Sequence, residues 1–339
     1  MVTSRTNIRD VAIRAGVSVG TVSNVLNRPH LVAEATLTRV HEAIGALGFV
    51  RNESARQLRA GSSRAIGLIV IDSSNPFFAD VARGVENRVQ EHGGIVLMGN
   101  SAGESEREGR YLELFKEQRV RGVLIAPTSP ELAGVQSLSE MGIPVVVLDS
   151  HAKGAPLSSV SVDDVAGGRM ATAHLIRKGH RRLAFVGGPS TLKQVRERRE
   201  GMEHELAAVP GASLLAISTP GLTIRSGREA ADELAVLDMK LRPTAVFAGN
   251  DLVALGLLQG FTAHGLRVPA DVAIVGYDDI EFAAAAAVPL SSVRQPREEL
   301  GSAGARLLFA AIEAIESGRH LQHEHQRFQP QLIVRRSSA

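Results

Sequence analysis

Beyond residue 65 the chain alternates short apolar runs with amphipathic stretches, and that alternation restricts the fold more than any other feature. Candidate strands lie at 66–71, 95–98, 123–126, 145–148, 183–186, 214–217, 245–248 and 272–275. Helical patterns fill most gaps between them, as at 77–91, 165–178, 225–237 and 252–264. Strand, helix, strand in succession builds right-handed βαβ units, so the expected class is α/β, with parallel sheets covered by helices on both faces. Eight strands also suit a closed barrel. The irregular stretch at 150–162 points instead to a crossing between two lobes.

The first 50 residues show no such alternation and read as an all-α head of three short helices. Asn7 can cap the first, with Asp10 near its positive end. Gly16-Val17-Ser18 breaks it, and Ser18 can cap a second helix that runs to about Asn27, before Pro29. A third helix at 34–47 places Leu37, Val40, Ile44 and Leu47 on one face, although it begins at Ala33, which offers no cap. Residues 52–59 are one more helix-competent stretch, capped by Asn52 and closed by Gly61. Such a stretch falls below the ~12–15 residues an isolated helix needs, so something else must hold it. The expected division is a head at 1–50, a short helix and linker at 51–63, and a body at 64–339.

Charge follows the same division. Residues 1–64 hold nine Arg and no Lys against Asp10, Glu34, Glu42 and Glu53, a net +5, so the remaining 275 residues carry −3 of the overall +2. A basic head on a mildly acidic body suggests that the head meets a polyanion. With 44% hydrophobic and 22% charged residues the chain can bury a core. It shows neither a signal-like apolar segment after Met1 nor a run near the ~20 residues of a membrane span, so a cytoplasmic location without membrane contact is expected. Cysteine is absent, which removes disulfides, thiolate metal sites and cysteine nucleophiles.

Within 7–27, Ala12, Gly16 and Val22 supply a small residue where two helices cross, a residue tolerant of positive φ at a turn, and an apolar lock, with Val11, Val17 and Leu26 completing an interior. An ordinary helical hairpin fits the spacing too; the basic charge favours a helix-turn-helix. Its second helix would then present Val19, Gly20, Ser23 and Asn24 to base edges in the major groove. Asn can bond adenine through two hydrogen bonds and Val can touch a thymine methyl. Ser18, Thr21 and Asn27 suit phosphate contacts, which position without specifying sequence.

In the body, Asn75, Asp149, Asn250 and Asp278 each follow the end of a candidate strand, and in parallel sheets those ends face one crevice where ligands bind. Amides and carboxylates together with Phe77 and Phe78 match a sugar's adjacent hydroxyls and its C–H faces. Caps and turns explain the same residues: Asn75 precedes Pro76, and Asn250 can cap the next helix. Arg198 sits in a mixed-charge run, 196–200, that reads as a solvated helix face.

Catalytic readings are weak. Gly16-Val17-Ser18-Val19-Gly20 matches G-x-S-x-G but lies within the helical head, with no strand before it. No two glycines stand two apart and no Gly-Lys pair exists, so dinucleotide and phosphate loops are missing. His320, His323 and His325 read as a solvated tail rather than a zinc site. No enzyme, cofactor or metal is expected.

The runs NIRDVAIRAGVSVGTVSNVLN at 7–27, GFVRNESARQLRAG at 48–61, IGLIVIDSSNPFF at 66–78, LDS at 148–150, GND at 249–251, VGYDD at 275–279 and SSVRQP at 291–296 resemble the lactose/galactose-repressor family of bacterial regulators, over essentially the whole chain. The resemblance implies a helix-turn-helix head, a hinge helix at 52–59 ordered on operator DNA, and a two-lobed body like periplasmic sugar-binding proteins. It implies that Leu58 wedges into the minor groove, with Arg56 and Arg59 on the backbone. It also implies that Asn75, Phe77, Phe78, Asp149, Arg198, Asn250, Asp278 and Gln295 grip a neutral pentose or hexose. Ser150, where some pentose binders carry Arg, and Arg297, where some relatives carry an aromatic, leave the ligand's identity open. The expected protein is thus a homodimeric repressor on operator double-stranded DNA, relieved by a small sugar. An activator or a co-repressor-dependent regulator uses the same parts with the sign reversed. A sugar-binding transport protein would share the body but not the head.

Overall fold

The structure, a computed structural model, describes residues 6–49, 63–129, 132–152 and 154–339. These form two compact units, a head at 6–49 and a body from Ser63 to Ala339. The stretch at 52–59, and with it Arg56, Leu58 and Arg59, lies outside the described residues.

In the head, α1 (Ile8–Ala15), α2 (Val19–Asn27) and α3 (Glu34–Leu47) begin where the capping residues place them. Asn7 and Asp10 cap reciprocally. The Asn7 side chain accepts from the Asp10 amide at 3.3 Å, and the Asp10 carboxylate accepts from the Asn7 amide at 2.9 Å. Gly16 ends α1 at φ 64°, a conformation that costs an L side chain energy, and Ser18 Oγ accepts from the Thr21 amide at 3.0 Å to start α2. Val11, Val22 and Val40 are fully buried between the helices; Val17, Leu26, Leu37, Ile44 and Leu47 pack around them. Val25 joins this core as well. Ala33 starts α3 without any side-chain bond. Ala33→Asp is therefore expected to stabilise the head by about 1 kcal/mol, read as slower hydrogen exchange of its core amides; unchanged exchange would mean the first turn of α3 is already satisfied.

Among the described residues the body contains two six-stranded sheets rather than a barrel. Its strands are β1 (Ala65–Val70), β2 (Ile95–Asn100), β3 (Gly122–Ile125), β4 (Val145–Leu148), β5 (Ser158–Val162), β6 (Arg182–Val186), β7 (Ser213–Ile217), β8 (Ala245–Ala248), β9 (Ala273–Asp278), β10 (Ser291–Arg294), β11 (His325–Phe328) and β12 (Gln331–Ile333). The first sheet has the order β2-β1-β3-β4-β5-β11 and is parallel throughout. The second has the order β7-β6-β8-β9-β10-β12, parallel except for β12. Helices α4 (Pro76–Glu91), α5 (Ser105–Glu117), α6 (Ala133–Glu140) and α12 (Arg297–Glu316) belong to the first lobe. The second lobe carries α7 (Asp164–Arg177), α8 (Lys193–Ala207), α9 (Ile224–Ala235), α10 (Asp251–Ala263) and α11 (Glu281–Ala285). The chain passes between lobes three times: after β5, after β10 and after β11.

Strand order reverses beside β1 in one sheet and beside β6 in the other, the arrangement that opens a ligand crevice at the strands' carboxyl ends. The stretch at 150–162 is a correction to the sequence reading. Its end is the buried strand β5, and the crossing comes after it. Strands β10 and β11 were likewise not evident. Their serines and charged residues conceal the strand pattern because hydrogen bonds replace apolar packing: Ser292 Oγ donates to Asp251 at 2.6 Å, and Ser159 Oγ lies 2.9 Å from His325 Nδ1. All three histidines, His320, His323 and His325, are exposed, as the sequence reading has them, although His325 opens strand β11.

Candidate functional site: a DNA-facing helix and a buried polar cleft

On α2, Val19, Gly20 and Asn24 are exposed and Ser23 is half-buried, so all four lie on the side of the helix away from its core. Ser18 and Asn27 are exposed at the two ends, with Thr21 half-buried. Asn27 Nδ2 donates to the Ser23 carbonyl at 2.9 Å, and the Ser18 and Thr21 hydroxyls lie 2.9 Å apart. These contacts orient the polar side chains at the two ends of the helix.

In the body, the ends of the strands converge on a buried polar cluster. Asp149 directly follows β4 at φ 53°, and Asp278 closes β9 at φ 104°. Asn250 caps α10 by accepting from the Val253 amide at 2.9 Å, and its amide donates to the Leu222 carbonyl at 3.3 Å. Asn75 caps α4, accepting from the Phe77 amide at 3.0 Å. The capping explanation therefore holds for both asparagines, and both are also buried beside the crevice. Phe77 and Phe78 are buried too, edge to face at 4.9 Å.

Arg198 departs from its solvated neighbourhood. Arg196, Arg199 and Glu200 are exposed, but Arg198 is 2% exposed. Its Nε donates to Asp164 at 2.8 Å, its Nη1 donates to the Gly249 carbonyl at 2.7 Å, and its guanidinium lies 3.7 Å over the Tyr277 ring. Close packing of α7 on α8 allows this. A Cβ at Gly168 would stand 2.1 Å from the Arg198 carbonyl oxygen, so only glycine lets the backbones approach. Asp278 Oδ1 accepts from Gln295 Nε2 at 2.7 Å and lies 3.9 Å from Arg198. Gln194 Nε2 donates to Asp149 Oδ2 across the lobes at 3.4 Å, while Asp149 Oδ1 and Gln295 Oε1 are buried without a protein partner.

Asp164 and Asp278 thus lie within ion-pair distance of the Arg198 guanidinium, and Asp149 feels its charge from farther off. Burial pushes Asp149 well above the usual carboxylate range, reinforced by Asp164. Burial also raises Asp278, to about 6, against the opposing pull of Arg198 and Gln295. Burial alone would lower Arg198, but Asp164 and Asp278 outweigh it and hold the guanidinium charged. Asp164, Tyr277 and Gln194 are members of this cluster that sequence reasoning missed. Asp164 hides beside Asp163, the actual cap of α7, and Tyr277 reads as core inside VGYDD. Among the described residues no group of three or more His, Asp or Glu could hold a metal ion, and no helix is long and apolar enough to cross a membrane.

A helical head with an exposed polar recognition face, carried on the same chain as a two-lobed α/β body with a buried polar cleft, defines a ligand-responsive DNA-binding regulator. Residues 7–52 match the bacterial regulatory proteins of the lacI family, and residues 172–338 match a periplasmic binding protein-like domain. The chain belongs to the lacI family. It is 34% identical to the HTH-type transcriptional repressor PurR of Aliivibrio fischeri over 97% of each chain. It is 33% identical to the ribose operon repressor of Escherichia coli over 90% of this chain and 92% of the relative. The lac repressor dimer bound to operator and the anti-inducer ONPF superposes with a TM-score of 0.80 at 25% identity, over 99% of both chains.

Proposed function

We propose that the protein is a cytoplasmic repressor whose hold on operator DNA is relieved by a small neutral pentose or hexose. The observation that carries this reading is a pair of buried oxygens without a protein partner, Asp149 Oδ1 and Gln295 Oε1, in a cluster that holds a single guanidinium, that of Arg198. Hydroxyl donors satisfy such oxygens, whereas a phosphate would meet three carboxylates. Asn75, Phe77, Phe78, Asp149, Arg198, Asn250, Asp278 and Gln295 are the proposed effector contacts. Val19, Gly20, Ser23 and Asn24 read bases; Ser18, Thr21 and Asn27 hold phosphates. Arg56, Leu58 and Arg59 are assigned to the minor groove on sequence alone.

A homodimer brings two heads to a pseudo-palindromic operator with half-sites about one helical turn apart. The edge strand β2 supports this pairing: Ile95 and Leu97 are exposed on the face that α5 packs against, where Leu114 of α5 is exposed too, and together they leave apolar surface that a second copy can cover. Effector binding across the cleft favours one lobe arrangement, and operator affinity changes by no more than its differential affinity for the two arrangements.

Thermal unfolding against pentoses, hexoses, their phosphates and purines tests the effector class. A ligand at 100 times its dissociation constant stabilises the body by about 2.7 kcal/mol. A shift with a neutral sugar is expected; a shift confined to phosphates or purines would contradict the reading.

The pH dependence has a definite sign. For folding, a raised carboxyl pKa means that the contribution of Asp278 is complete below its unfolded value and is lost as pH rises through about 6. Effector binding runs the other way, because hydroxyl donors favour the ionised carboxylate. Effector affinity is therefore expected to fall as pH drops through about 6, approaching tenfold per unit for one proton, as calorimetry between pH 5 and 8 would show. Constant affinity down to pH 5 would exclude Asp278 as an ionised effector contact.

A further inference from the structure

Arg297 opens α12 at the second crossing between lobes, directly after Gln295 and Pro296. Its backbone leads into a first-lobe helix, but its side chain reaches back to the second lobe. Nη1 donates to the carbonyl oxygens of Asp278 at 2.6 Å and Asp279 at 2.5 Å. Nε donates to Asp80 on α4 at 2.8 Å, so a first-lobe carboxylate aims the guanidinium. Both side chains are only about a fifth exposed (20% and 21%), which spares the pair much of the screening met at a surface.

The two carbonyls that Arg297 grips belong to residues at φ 104° and 53°. Non-glycine residues in that region cost of order 1–3 kcal/mol each and persist where their surroundings over-determine them. From the second lobe this turn is already held. Asp279 is paired with Arg294 at 2.7 Å and with Arg335 at 2.5 Å, its amide donates to Ser292 at 3.0 Å, and Asp251 accepts from the Ile280 amide at 2.9 Å. Arg297 adds a hold on the same turn from the first lobe.

We propose that Arg297, aimed by Asp80, is a positioning residue that fixes the resting angle between the lobes and the placement of Asp278 before any effector binds. The consequence for the effector site rests on the reading of the cleft given above; the hold itself does not. An apparent dissociation constant rises as the fraction of protein standing in the competent arrangement falls. Arginine is required here because one planar group must serve the carboxylate through Nε and two carbonyls through Nη1, which a lysine ammonium on its flexible stem does not reproduce.

The absence of cysteine in the chain permits a direct test. Spin labels on Glu106→Cys in the first lobe and Glu229→Cys in the second, both exposed positions, report the interlobe distance by pulsed electron resonance in labelled full-length chain diluted with unlabelled chain. Without any sugar present, Arg297→Ala is expected to broaden and shift the distance distribution. Asp80→Ala should shift it in the same direction by less, and Arg297→Lys should fail to restore it. Distributions identical to the parent in both Arg297→Ala and Asp80→Ala would overturn the proposal, and the milder Asp80 variant keeps the test open if Arg297→Ala does not fold. Since no effector is needed, this outcome is independent of whether a neutral sugar binds. With a sugar that shifts thermal unfolding in hand, the same variants are expected to weaken its binding at least about fivefold.

Discussion

Asp278→Asn is expected to weaken effector binding by about 100-fold while leaving operator affinity in the absence of effector within about twofold. Asparagine is the informative substitution because Asp278 stands at φ 104°, where asparagine is better tolerated than alanine, and because its carbonyl can still accept from Gln295. What disappears is the charge. Bonds from sugar hydroxyls to a carboxylate are worth roughly 1.5–3 kcal/mol each, and losing one at the strong end or two at the weak end corresponds to the expected fall. Calorimetry for the sugar and anisotropy for the operator read the two halves separately. Loss of both together would instead mean that Asp278 supports the fold of the second lobe.

The second large effect is on stability. Arg198→Met is expected to destabilise the body by about 3–5 kcal/mol in chemical denaturation at neutral pH. The substitution removes the bond to Asp164 at 2.8 Å, the bond to the Gly249 carbonyl at 2.7 Å and the stacking on Tyr277, and it leaves Asp149, Asp164 and Asp278 buried without their cation. Those carboxyls can escape by taking up protons, so the loss should be largest above pH 7 and shrink toward pH 5. A change below about 1 kcal/mol at neutral pH would mean that the cluster is solvated and Arg198 dispensable.

The two regions of the chain differed in how much they disclosed. The head was legible almost to the residue, because Asn7, Gly16 and Ser18 act locally: a cap bonds an amide two or three positions away, and a left-handed turn needs its glycine in place. Strands with apolar runs were legible for the same reason, as β4 and β8 show. Strand β5 was not, since Ser158, Ser159 and Ser161 are buried through partners far along the chain, among them Glu324 and His325. Arg198 behaves alike. Nothing in the run 196–200 distinguishes it from Arg196 or Arg199, and only the glycine-lined contact of α7 with α8 turns it toward Asp164. The strand-end positions of Asn75, Asp149, Asn250 and Asp278 were visible from local pattern, whereas Gln295 came only with the family resemblance. Asp164, Tyr277 and the reach of Arg297 to Asp278 depend on tertiary closure that no local pattern encodes.

In the proposed function the two units are coupled: a neutral sugar in the body's cleft releases the head from its operator. Fluorescence anisotropy tests it on an operator selected by the full-length protein from random duplexes, titrated with neutral pentoses and hexoses and then with sugar phosphates and purines. A pseudo-palindromic selected site is expected, with release by at least one neutral sugar, a release that is lost in Asp278→Asn. Operator binding that no neutral sugar alters, but that a phosphorylated sugar or a purine abolishes, would contradict this coupling.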